Sequence, residues 1–113
     1  MINGIGNGIG FAQREGSGGT PTPPPPEAVP ASNIQTTAIQ ANWLAYPLAV
    51  SYELDVSPDV TFGTLIYNKQ STTDTFFGVV GLLSNTTYYY RVRAILSTGG
   101  ITLFSNTISV TTL

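Results

Sequence analysis

The stretch from Gly81 to Ala94, GLLSNTTYYYRVRA, constrains the chain more than any other. After a turn, Tyr88, Tyr90, Val92 and Ala94 fall on one side, and Tyr89, Arg91, Arg93 and Ile95 on the other. A period of two, apolar against polar, is the pattern of a strand with one face in a core and the other at the surface. A helix would need the apolar period of 3.6, and no long segment keeps it. Thr, Val, Ile and Tyr, which favour pleated structure, dominate instead.

The same alternation recurs in short runs separated by turn residues. It predicts strands over about 28–34, 36–44, 51–57, 64–69, 75–80, 87–96 and 102–112. The inward residues would be Ile39, Ala41 and Trp43, then Tyr52, Leu54 and Val56, then Phe77 and Val79, and last Ile108 and Val110. Such a series predicts an all-β, seven-stranded antiparallel Greek-key sandwich over residues 31–113. Thr64 to Tyr67 reads as an edge strand, with Asn68 and Lys69 blunting it against pairing with another chain. Ser97 to Gly100 reads as a tight hairpin loop.

Two different segments precede this domain. Residues 1–20 repeat NGIG, at Asn3 to Gly6 and at Asn7 to Gly10. Glycine at that density costs too much backbone entropy to fold alone. Yet Ile2, Ile5, Ile9 and Phe11 are large and apolar, unlike the residues of a solvated tail. They are expected to fill pockets on a partner, making this stretch an anchoring arm. Residues 21–30 are rich in proline and are expected to form a stiff linker, rising about 3.1 Å per residue as polyproline II.

Composition removes several functions. There is no Cys and no His, so disulfides, thiolate nucleophiles, and the commonest metal ligand and general base are all missing. Four Lys and Arg against six Asp and Glu give a net charge of −2, which supplies no basic stripe for nucleic acid. The start, MINGIGNGIGF, lacks the basic and continuous apolar regions of a secretory signal. No run approaches the roughly 20 apolar residues of a membrane helix, so no membrane insertion is expected.

The remaining polar groups read as structural. Glu53 and Asp55 should lie outward on one strand, opposite Arg93 and Arg91 on its neighbour, as exposed ion pairs worth a few tenths of a kcal/mol each (roughly). An exposed sheet face gives carboxylates neither the cleft nor the burial that acid–base catalysis requires. Asp59 and Asp74 read as turn formers, since SPDVTFG is too sparse for a calcium loop. Asn85-Thr86-Thr87 matches a glycosylation sequon and reads as the turn before the long strand. The glycines at 4, 6, 8 and 10 lack the strand and helix of a phosphate loop. Tyr89 is the outward aromatic, a candidate contact for a sugar or a protein.

Taken together, the alternation ending in Trp43, with Tyr52, Leu82, Thr86, Tyr88, Val92 and Ala94, resembles the fibronectin type III domain over about Pro30 to Thr112. In that family a Leu stands six positions before a conserved tyrosine, as Leu82 does before Tyr88; the family's usual proline two after the Leu is Ser84 here. The resemblance implies an immunoglobulin-like sandwich in which Tyr88 forms a tyrosine corner. The closing SNTISVTTL is similar to copies in bacterial surface proteins and in virion proteins of tailed phages. It implies a non-catalytic structural or interaction protein with no catalytic residues, cofactor or metal. The expected role is a phage virion accessory protein, decorating the capsid or associated with head or tail. Its arm would anchor in other virion proteins, and the sandwich would face outward, touching host glycans weakly. Assembly would take place in the host cytoplasm. The alternative is a spacer or adhesion module of a larger extracellular bacterial protein, located at the cell surface.

Overall fold

The computed structural model describes residues 22–113. The strands are β1 (Ala28–Ser32), β2 (Ile39–Trp43), β3 (Ala49–Ser57), β4 (Tyr67–Thr72), β5 (Phe76–Val79), β6 (Thr87–Leu96) and β7 (Ile108–Thr111). They form two antiparallel sheets, β1-β2-β5 and β4-β3-β6-β7, so the all-β sandwich expected from the alternation is present. The turn at Asp59, the Ser97–Gly100 hairpin and the long strand fall where the pattern put them. β6 covers the predicted range to the residue, and its side chains alternate between buried and half-buried along the whole strand.

The core is the set of inward positions from both sheets. Ile39, Ala41, Trp43 and Val79 meet Tyr52, Leu54, Val56, Tyr90, Val92 and Ala94. Each large apolar side chain buried there contributes about 1.5–3 kcal/mol. The Trp43 and Tyr52 rings lie 5.7 Å apart, tilted by 56°. Tyr90 is fully buried and spans both sheets: its hydroxyl donates to the Val29 carbonyl and accepts the Asn42 N–H at 3.4 Å. Tyr88 forms the tyrosine corner, its hydroxyl accepting the Leu83 N–H at 2.9 Å while its ring is buried beside Leu82.

Several strands depart from the expected limits: β1 ends at Ser32 rather than near residue 34, and β2 begins at Ile39 rather than near residue 36. The fourth begins at Tyr67 rather than near residue 64. The Thr64 carbonyl is taken by the buried Ser57 hydroxyl, so residues 64–66 close a loop, and Ile66 alone bonds back to Val56, at 2.8 Å. Within β4, Lys69 has a φ of 52° and the register to β3 slips between Leu54 and Val56. That bulge turns the Lys69 N–H onto the Asp55 carboxylate, at 2.8 Å. A bulge of this kind blunts an edge strand more firmly than a charged side chain does.

The last strand is regular only from Ile108. Before it, two hydroxyls stand in for strand carbonyls: Thr102 Oγ1 accepts the Ala94 N–H at 2.9 Å and Ser105 Oγ accepts the Val92 N–H at 3.0 Å. The Ser97–Gly100 loop is a tight hairpin, with the Leu96 N–H bonded to the Gly100 carbonyl at 2.9 Å and Gly99 at a φ of 91°.

The proline stretch lies against the sandwich from Pro23 onward. The Pro23 carbonyl accepts the Leu103 N–H at 3.3 Å, the Pro24 carbonyl accepts the Tyr46 hydroxyl at 2.8 Å, and Pro26 is buried. Asn106 then pairs with β1 as a strand would: its Oδ1 accepts the Ala28 N–H at 2.9 Å, and its Nδ2 donates to the Ala28 carbonyl at 3.0 Å.

Candidate functional site

The outward residues of β3 and β6 form the centre of the larger sheet's outer face. The antiparallel register sets Glu53 opposite Arg93, Asp55 opposite Arg91 and Ser57 opposite Tyr89. Arg93 pairs with Glu53 at 2.8 Å, and both side chains are about a quarter exposed, at 23% and 25%. This is the cross-strand ion pair the spacing predicts.

The second pair is different. Asp55 was expected on an exposed face, but its side chain is 0% exposed. Its Oδ2 accepts from Arg91 through Nε at 3.1 Å and through the terminal nitrogen at 3.0 Å, while Oδ1 accepts the Lys69 N–H. The cause lies outside β3 and β6. Phe62, from the loop after β3, and Phe104, from the segment before β7, each sit 4.2 Å from the Arg91 guanidinium. The two rings pack on the guanidinium that holds the carboxylate. Phe104 also lies 4.9 Å from the Arg93 guanidinium and 5.7 Å from Lys69 Nζ. Every cation among the described residues therefore gathers on this one face. Stacking on an aromatic face is worth about 0.5–1 kcal/mol at exposed sites and more when desolvated.

Chemically this face is committed to its own structure. Both oxygens of Asp55 are engaged, and Glu53 is held by Arg93. Asp55 cannot exchange a proton with a substrate without first breaking its pair. Among the described residues, no three acidic, Cys or His side chains converge as a metal site would require. Asp59 lies in the turn after β3, where its carboxylate accepts the Thr61 N–H at 3.1 Å and the Thr61 hydroxyl at 2.8 Å. Those bonds, the backbone one first, hold its carboxyl below the ordinary value of 3.8. It forms the turn, as the sequence suggested.

Tyr89 lies on the same outer face, half-buried, between Ser57 of β3 and Ser109 of β7 in the register. Ile2, Ile5, Ile9 and Phe11 lie outside the described residues. Phe62 and Phe104 were missed in the sequence: Phe62 belongs to no alternating run, and Phe104, inside the run expected over 102–112, was not singled out. A signal existed: each is a lone aromatic in a polar loop segment, SPDVTFG and TLFSN, that flanks a strand carrying charged residues.

The family model for the fibronectin type III domain matches residues 24–111. Among solved structures, a titin fragment of domains A168 to A170 is 20% identical with a TM-score of 0.66, covering 80% of this chain and 32% of that one. The solution structure of the fibronectin type-III domain of human fibronectin type III domain containing protein 3 is 22% identical with a TM-score of 0.66, covering 86% of this chain and 92% of that one. A beta-1,2-glucanase from Parabacteroides distasonis is 19% identical with a TM-score of 0.65, covering 79% of this chain but only 12% of that one. At these identities the likeness is one of fold, and the chain spans about a third of the titin fragment. None of the curated proteins is matched by the chain.

Proposed function

Because the chain belongs to the fibronectin type III family, we propose that it is a non-catalytic interaction module of a tailed-phage virion, held by its N-terminal arm with the sandwich displayed outward. The carrying observation is that the ionisable groups of the larger sheet's face are consumed in fixing that face. Asp55 is buried with both oxygens bonded, and Glu53 is paired to Arg93. What is left is a rigid platform that presents shape and loops, which suits display and not turnover.

The arm supplies the attachment. Its apolar residues stand at positions 2, 5, 9 and 11, spaced by glycines that allow the backbone to lie close to a partner surface. Ordering a residue costs about 1–2 kcal/mol, and burying an Ile or Phe returns about 1.5–3 kcal/mol. Four anchors return about 6–12 kcal/mol against about 10–20 kcal/mol for ordering ten residues, so retention also needs backbone hydrogen bonds to the partner. Pro23 and Pro24 lie against the end of the sandwich that carries the Ser97–Gly100 loop, and this reading has the arm attach from that end. Assembly into the particle in the host cytoplasm follows from this reading.

Deleting residues 1–19 tests it. The truncated protein should fold with unchanged thermal stability and fail to co-purify with particles. Normal incorporation of the truncation would sink the arm as the anchor.

A second reading is a spacer or adhesion module of a larger extracellular bacterial protein. The glucanase favours it, since that structure carries a similar fold within a much longer chain. This reading predicts further domains in the same reading frame, which sequencing the flanking gene decides.

A further inference from the structure

The smaller sheet presents a different outer face. None of β1, β2 or β5 contains an ionisable residue, and the face they build carries no cation; its nearest charges are the exposed Glu27 and Asp74, just before β1 and β5. The register places Asn42 beside Phe76, and Gln40 beside Gly78. On the other side, Gln40 faces Ser32. The amides form a ladder across the strands. Asn33 Nδ2 donates to Gln40 Oε1 at 3.1 Å, Gln40 Nε2 to Asn42 Oδ1 at 2.9 Å, and Asn42 Nδ2 to the Ser32 hydroxyl and the Pro30 carbonyl, each at 3.0 Å.

This ladder fixes the side chains and leaves part of their bonding capacity outward. A primary amide has two N–H donors and an oxygen with two lone pairs. Gln40 and Asn33 each use one side-chain donor within the ladder. The face therefore offers both donors and acceptors in fixed positions, with their side-chain entropy already spent. Next to them Phe76 is 48% exposed, a large ring at the surface.

Gly78 supplies an independent observation. Its φ lies outside the left-handed region, and a Cβ built there would meet nothing within 4 Å. Neither backbone conformation nor packing requires a glycine. Glycine inside a strand weakens it, and one use that offsets the cost is close approach of a ligand. Here its absent side chain leaves a shallow step between the Phe76 ring and the Gln40 amide.

We propose that the outer face of β1-β2-β5 is a binding site for neutral oligosaccharides, with Phe76 as stacking platform, Gly78 as the open step and Gln40, Asn42 and Asn33 as hydroxyl partners. A pyranose ring has an apolar C–H face that fits an aromatic ring, and a rim of hydroxyls that both donate and accept. That pairing matches an exposed phenyl beside a ladder of amides. The lack of any cation fits a neutral sugar and offers nothing to a polyanion such as nucleic acid or a sulfated glycan. The site lies on the opposite sheet from Tyr89 and does not depend on the arm.

The test is a titration of the nitrogen-labelled full-length protein with cellohexaose, xylohexaose, laminarihexaose and chitohexaose, followed by two-dimensional NMR up to about 10 mM, the range of a weak surface site. With at least one of these sugars, the Gln40, Asn42 and Asn33 side-chain amides and the Phe76 and Gly78 backbone amides should shift together and saturate. Phe76→Ala should weaken binding about tenfold, equivalent to about 1.4 kcal/mol. Gly78→Val fills the step with a strand-favouring residue; it should weaken binding similarly without lowering thermal stability, which separates loss of the site from loss of the fold. No shift on this face with any of the sugars overturns the proposal, as do shifts that neither variant changes. Shifts of the same residues on raising protein concentration alone, with no response to sugar, would show the occupant to be a second copy and overturn it too.

Discussion

Replacing Asp55 with Asn isolates what burial adds to an ion pair. The change keeps the shape of the side chain and removes its charge. The asparagine oxygen can still accept the Lys69 N–H, but its Nδ2 then faces the Arg91 donors that the carboxylate accepted at 3.0 and 3.1 Å. Two sets of donors meet in a space that Phe62 and Phe104 close from outside. Removing one partner of a fully buried pair costs about 3–5 kcal/mol. Arg91 is 29% exposed and can recover part of its hydration, so the expected loss is smaller, about 2–3 kcal/mol. For a domain of this size that lowers Tm by about 10–20 °C. Glu53→Gln is the internal control. Its pair sits at similar distances, but both partners are partly exposed, so the loss should stay below about 0.5 kcal/mol. Urea unfolding of the three proteins, with a common slope, reads the difference directly. Equal, small losses in both variants would refute the argument that the two phenylalanine rings set the strength of the Asp55–Arg91 pair.

Two further outcomes follow from the tyrosines. Tyr88→Phe leaves the Leu83 N–H without the acceptor it has at 2.9 Å, and should cost about 1–2 kcal/mol in the same unfolding assay; a neutral result would mean that the corner bond contributes nothing. Burial raises the Tyr90 phenol above its ordinary value of 10.0, outweighing the Asn42 N–H that lowers it. The unfolded chain therefore loses this proton first as pH rises. The stability contributed by the neutral phenol is complete below pH 10.0 and is lost as pH climbs through the higher folded value. Phenolate absorbance should show one tyrosine ionising last, together with unfolding; Tyr90 titrating with the exposed tyrosines would contradict it.

What the sequence made legible depended on periodicity. Tyr88, Tyr90, Val92 and Ala94 repeat every second residue, and nothing competes with that pattern, so β6 was readable to its ends. Trp43, Tyr52 and Val79 were readable for the same reason. The limits of β4 and β7 were not, because hydroxyls and a left-handed backbone decide them. Ser57 captures Thr64, Lys69 bulges, and Thr102 and Ser105 replace strand carbonyls, and none of these breaks the apolar alternation. The burial of Asp55 was equally hidden. Asp55 is held by Arg91, on which Phe62 and Phe104 pack, 7 and 49 residues after Asp55 in the chain (62 − 55 and 104 − 55), and these groups meet only in the folded sheet. The arm's residues were singled out by composition, through apolar groups set among glycines, and that argument carries no geometry.

The side chain of Asn106, which takes the place of a strand beside Ala28, has a mechanical consequence. Pro23 lies beside Leu103 and Ala28 beside Asn106, so the entering chain and the segment before β7 run in the same direction. A pull at Thr22 against a hold at Leu113 slides these two segments past each other lengthwise. The paired bonds of Asn106 and the Leu103 bond then bear load together, instead of opening one after another as a zipper would. A domain tethered at its arm and dragged through a viscous medium would transmit force through that lap joint before any of the core is strained.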